Sequence, residues 1–159
     1  MKCLGWEIDN FGMAVDVRYY ESRQGFLRAI RRAQGKFAPK RFGGVYGMCS
    51  TYVGTKDIPA QFTLWLNSRS PHLIYHEATH AAMGAARILT KKKRLPKDID
   101  LEEFICYLST GVGAMVTHWV ERGCPQVTQE LLNRSKKFRG LLSYASYAFD
   151  VRNRLDGKG

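Results

Sequence analysis

The stretch His76-Glu77-Ala78-Thr79-His80 constrains this chain more than any other. It lies in an apolar run with a helix start in front of it. Ser70 offers a hydroxyl cap and Pro71 suits the first helical position, so the sequence predicts a helix from about Pro71 to Leu89. Residues four apart are neighbours on a helix, so His76 and His80 share a face on which two imidazoles can bind one cation. Glu77 sits about 100° round the helix, beside a water on that cation, and the motif supplies two ligands and a base. The plainer alternative is a buried helix with two incidental histidines. It is disfavoured because three fixed positions coincide with fitting surroundings and use two of the four histidines in the chain.

The surroundings extend the pattern. After His80 come Ala81, Ala82, Gly84, Ala85 and Ala86, small side chains that would let a second helix approach closely. A catalytic zinc takes three protein ligands and keeps an open position, so a third ligand must come from elsewhere. The basic turn Lys91 to Pro96 ends the first helix, and Asp98 and Asp100 offer caps for a second beginning near Leu101. That second helix opens with Glu102 and Glu103.

Over roughly residues 71–120 the chain resembles the gluzincins, metallopeptidases in which a glutamate on the following helix completes the H-E-x-x-H pair. The likeness is closest to the minimal zincin domains encoded by phages and prophages. It implies Zn2+ as the cofactor, His76, His80 and Glu103 as its ligands, Glu77 as the catalytic base and Tyr107, one turn past Glu103, as a supporting catalytic group. Helical periodicity alone leaves the third ligand open. The apolar stripe Leu101, Ile105, Leu108, Val112, Met115 and Trp119 puts Glu102 on its shoulder and Glu103 nearly opposite, which slightly favours Glu102. Either carboxylate could instead do no more than favour the helix N-terminus electrostatically. Cys106, one turn from Glu102, is a further candidate in a shifted register.

Length and composition set the frame. A chain of 159 residues fits a single domain with a real core, here the expected span 1–159, and no apolar run is long enough to cross a bilayer. No secretory leader is expected in residues 1–13, which implies a cytoplasmic protein, in the host if phage-encoded. Cys3, Cys49, Cys106 and Cys124 are too scattered for a disulfide framework or a zinc ribbon. The net charge of +11 is uneven: residues 1–70 carry 11 basic and 5 acidic groups, 71–125 carry 7 and 6, and 126–159 carry 7 and 3. The basic flanks (Arg28, Arg31, Arg32, Lys36, Lys40 and Arg41 on one side, Arg134, Lys136, Lys137 and Arg139 on the other) suit nonspecific nucleic acid or an acidic partner. Each cluster alone is more simply a solvated face, and no nucleic-acid-binding motif accompanies them.

The fold class expected is α+β. Met13 to Tyr20 alternates as a strand, Ser22 to Gln34 has helical spacing, and Gly44 to Tyr52 and Gln61 to Asn67 look like two further strands. The resemblance implies a small, mostly antiparallel sheet packed on the metal-site helices. It makes Gln61 to Asn67 the edge strand of the cleft, with Trp65 free to touch a substrate strand paired to it; Trp65 packing on a neighbouring element is as good an account. From Thr128 to Leu155 one or two helices are expected, broken at Gly140, with Phe138, Tyr144, Tyr147 and Phe149 completing the core.

The implied activity is zinc-dependent hydrolysis of peptide bonds in a protein or peptide substrate, with Glu77 moving the proton. A donor to the developing oxyanion is the weakest part of the set. Tyr107, His72 and His118 are the candidates, and His118 stands roughly 22 Å from Glu103 along a straight helix, so it serves only if Gly111 or Gly113 bends that helix. The alternative is a zincin-like binding or regulatory protein, structural or anti-defence, without catalysis.

Overall fold

The computed structural model describes residues 1–8, 13–35, 44–55, 60–92 and 100–125. Its elements are β1 (Lys2–Ile8), β2 (Met13–Tyr19), α1 (Arg23–Gln34), β3 (Gly47–Tyr52), β4 (Ala60–Leu66), α2 (Pro71–Lys91) and α3 (Leu101–Glu121). The expected segment 128–155, with Gly140 and its aromatics, lies outside the described residues, as do Lys36, Lys40, Arg41 and Arg134 to Arg139.

The architecture is α+β, a mixed four-stranded sheet in the order β1-β2-β4-β3. β1 runs antiparallel to β2, β2 parallel to β4, and β3 antiparallel to β4. Alternation explains the sheet's two faces. Met13, Val15, Val17 and Tyr19 of β2 and Phe62, Leu64 and Leu66 of β4 point to the side on which α2 and α3 pack. Thr63 and Trp65 point the other way and are buried too. β4 is thus buried on both faces, as an interior strand should be.

The second face is closed at one end by α1. Ser22 caps that helix by accepting the Gly25 N–H at 3.3 Å. Phe26 and Ile30 drop onto Tyr20 and Trp65, and the rings of Tyr20 and Trp65 stack 6.3 Å apart.

On the first face, Ala78, Ala81, Ala82, Ala85 and Ala86 are buried with Phe104, Leu108, Val112 and Val116. Short side chains on α2 let the bulky ones of α3 fill the space between the helices. Gly84 serves the sheet rather than α3: a Cβ there would stand 3.0 Å from Phe62 Cε1 and 3.2 Å from Thr51 Oγ1. Asp100 caps α3 by accepting the Glu103 N–H at 2.7 Å. At its far end Gly123 and Cys124 take positive φ, and the Cys124 N–H returns to Trp119 O at 2.9 Å, which closes the helix end.

β1 was absent from the sequence-based expectation. β4 is also not the edge strand: β3 covers its outer side, so β3 forms that edge of the sheet. Trp65 has the predicted phase, opposite Phe62, Leu64 and Leu66, but its face lies under α1. It is 6% exposed, donates Nε1–H to Ser50 Oγ at 3.0 Å and carries the Arg18 guanidinium over its ring. No described helix is long and apolar enough to cross a membrane.

Candidate metal centre

α2 starts where the sequence predicts, with Ser70 extended and Pro71 first in the helix, although the Ser70 side chain makes no capping bond. Mid-helix, His76 and His80 stand side by side in solvent, their Nε2 atoms 3.1 Å apart and their rings nearly perpendicular at 87°. Two nitrogens bound 2.0–2.1 Å from a tetrahedral zinc stand about 3.3 Å apart. The pair therefore has the spacing of two ligands on one ion.

Glu77 turns towards the sheet and is 5% exposed. Its carboxylate accepts the backbone N–H of Cys49 on β3. Burial raises its pKa, opposed in part by the nearby His76 and by that N–H. β3 approaches this close because residue 47 is glycine: a Cβ there would lie 3.0 Å from Glu77 Cγ, 3.0 Å from Leu73 Cγ and 3.1 Å from Glu77 Oε1. The Cys49 thiol, also in this wall, is pushed up to about 12 by burial and by the Glu77 charge, and so stays protonated near neutral pH.

Between β3 and α2 runs an open cleft of ≈ 380 Å³, with Gly47, Cys49 and Thr51 on one side and Glu77, His80 and Arg87 on the other. The strand and helix run in the same direction, since Gly47 meets Glu77 and Thr51 meets Gly84. The cleft wall is therefore the β3 edge, in place of the expected β4.

Glu103 and Tyr107 are not brought to this point. With Asp100, Glu102 and Cys106 they line a separate cavity of ≈ 430 Å³ at the start of α3. The reason is register. Tyr75 packs against Gly113, while Met83, Ala86 and Thr90 border a groove with Leu101 and Ile105, so the helices pair antiparallel. Across that pairing Glu103 falls level with about residue 85 of α2, roughly 7 Å along the axis from His80. Helical side chains also lean towards their own N-terminus, which takes Glu103 further from the histidines. Among the described residues no group of three or more His, Cys, Asp or Glu side chains converges to hold an ion.

The other candidates are dispersed as well. His72 is exposed in the first turn of α2, and His118 is buried in the last turn of α3, which runs as one helix through Gly111 and Gly113. Sequence reasoning passed over Gly47, Cys49 and Arg87. A glycine in a strand pattern marks close backbone approach, and that signal at Gly47 was available.

Two imidazoles at ligand spacing and a desolvated carboxylate, set in a groove walled by a strand edge, can bind a divalent cation and accept a proton beside it. No protein family, curated protein or solved structure matches the chain.

Proposed function

We propose that the chain is a zinc-dependent metallopeptidase of the gluzincin type. One observation carries this: the His76 and His80 Nε2 atoms stand 3.1 Å apart beside the buried Glu77 carboxylate. A structural metal pair has no use for a desolvated base next to it. When bound, zinc lowers the pKa of a water and polarises a carbonyl. The chain's own part is then specific. Glu77, with its pKa raised by burial, takes the proton of the attacking water and hands it to the leaving amide nitrogen. The β3 edge offers main-chain groups to an extended peptide, which would lie along α2 past the histidines.

His76 and His80 are the proposed ligands. Glu103 is the proposed third, with Glu102 as its alternative, and Tyr107 is the proposed supporting group; Glu103 and Tyr107 rest on the family resemblance, and Glu102 on the periodicity of the apolar stripe. Engaging Glu103 requires α3 to move by about one turn along α2. The separation of Glu103 from the histidine pair favours a second reading, a zincin-like binding or regulatory protein that does not hydrolyse peptides.

The test is cleavage of an unstructured protein by zinc-loaded wild type and Glu77→Gln. Wild type should cleave, and Glu77→Gln should lose at least about 100-fold in rate with its zinc retained. An active Glu77→Gln protein with metal still bound would contradict the assignment, and zinc binding without cleavage by wild type would favour the second reading.

A further inference from the structure

The cleft does not end at the histidines. Two helical turns past His80, on the same wall, Arg87 stands exposed opposite the Thr51 end of β3. Among the described residues it makes no ion pair or hydrogen bond. Of the other titrating groups in the cleft, Glu77 and His80 already have roles, and the Cys49 thiol stays protonated and uncharged near neutral pH. Met48, Thr51, Met83 and Gly84 around it are uncharged. One end of the groove thus carries a positive charge with no counter-ion from the described chain, next to a strand edge.

Spacing converts that charge into a position on a substrate. Seven residues of helix rise about 10 Å, and the Arg87 side chain leans back towards His80. An extended peptide advances roughly 3.3 Å per residue. The guanidinium therefore lies two or three substrate residues from a peptide bond placed over the histidine pair. A guanidinium binds a carboxylate through paired, charge-assisted hydrogen bonds and has no acceptor to offer a basic side chain.

We propose that Arg87 is a specificity residue that selects substrates carrying Asp or Glu two or three residues from the scissile bond. This rests on the peptidase assignment above. The direction along the substrate follows from whether the peptide pairs parallel or antiparallel to β3, and the cleavage pattern reports it.

The experiment has two arms. In the first, a mixed peptide library is digested with wild type and with Arg87→Glu, and the cut sites are read by mass spectrometry. Wild-type sites should be enriched in Asp or Glu at one position two or three residues from the cut, and Arg87→Glu should lose that enrichment or replace it with Lys or Arg. The same acidic enrichment in both proteins, or none in wild type, overturns the proposal.

The second arm needs no catalysis. Zinc-loaded Glu77→Gln is titrated with fluorescent acidic peptides and with their Asn/Gln counterparts, with and without Arg87→Glu, and Arg28→Glu on α1 serves as a control of equal charge change. Acidic peptides should bind about tenfold more tightly than their amides, and this preference should disappear with Arg87→Glu and persist with Arg28→Glu. Equal loss in both charge variants assigns the preference to the overall charge of +11 and overturns the proposal. If wild type cleaves nothing, the peptidase assignment falls, and the binding arm alone decides Arg87.

Discussion

At Glu77 the same burial that costs the chain stability raises the carboxylate's pKa, as the proposed base requires. Its carboxylate is held by one strand N–H and pressed by Gly47, so the smallest side chain at position 47 should be felt. Gly47→Ala should fold with a loss of about 1 kcal/mol and cleave about tenfold more slowly through displaced Glu77, with zinc binding unchanged. Thermal denaturation, peptide cleavage and metal content separate these effects, and full activity in Gly47→Ala would contradict the role given to the glycine. Cys49 tests the same wall by pH. With its thiol pushed up to about 12, the fold favours the protonated form. The stability this lends is complete below the thiol's ordinary value and is lost as pH rises through about 12. In alkylation at pH 8, Cys3 and Cys106, both exposed, should react at least about tenfold faster than Cys49. Equal rates would mean that β3 does not lie against α2.

Between elements, α2 and α3 meet closely at Tyr75 and Gly113, where a Cβ would fall 2.5 Å from Tyr75 Cδ1. Alanine for glycine inside a helix ordinarily gains about 1 kcal/mol. At Gly113 it should instead destabilise by about 1–3 kcal/mol, because the ring must move. In a Tyr75→Ala background the same change should turn stabilising, and additive denaturation energies across this double-mutant cycle would contradict the contact. β2, α1, β3, β4, α2 and α3 were each legible from spacing and caps, because amphipathic alternation and signals such as Ser70-Pro71 and Asp100 are local. β1 was not: Lys2–Ile8 contains Gly5 and two charged residues, and its pairing with β2 supplies the order that its own pattern lacks. Strand order was equally hidden. Nothing within Gln61 to Asn67 tells that Gly47–Tyr52 crosses to its outer side, so the wrong strand was expected at the edge.

For the whole molecule, the near-neutral middle of the chain carries the candidate site, and Arg28, Arg31 and Arg32 are exposed on α1, across the sheet from it. That separation allows substrate binding and any contact with an acidic partner or nucleic acid to be tested independently. The candidate site was legible only where its geometry is local. His76, Glu77 and His80 lie within one helical turn or so, and their spacing fixes their arrangement whatever surrounds them. The position of Glu102 and Glu103 relative to the histidine pair depends on how far α3 slides along α2, where Tyr75 meets Gly113, and no motif encodes that distance. Metal content of untagged protein is therefore the most direct measurement, comparing wild type with His76→Ala, His80→Ala, Glu102→Ala and Glu103→Ala. Wild type should hold about one zinc per chain, lost in both histidine variants and in one glutamate variant. A folded wild-type protein that neither contains zinc nor takes it up would contradict the metallopeptidase assignment at its root.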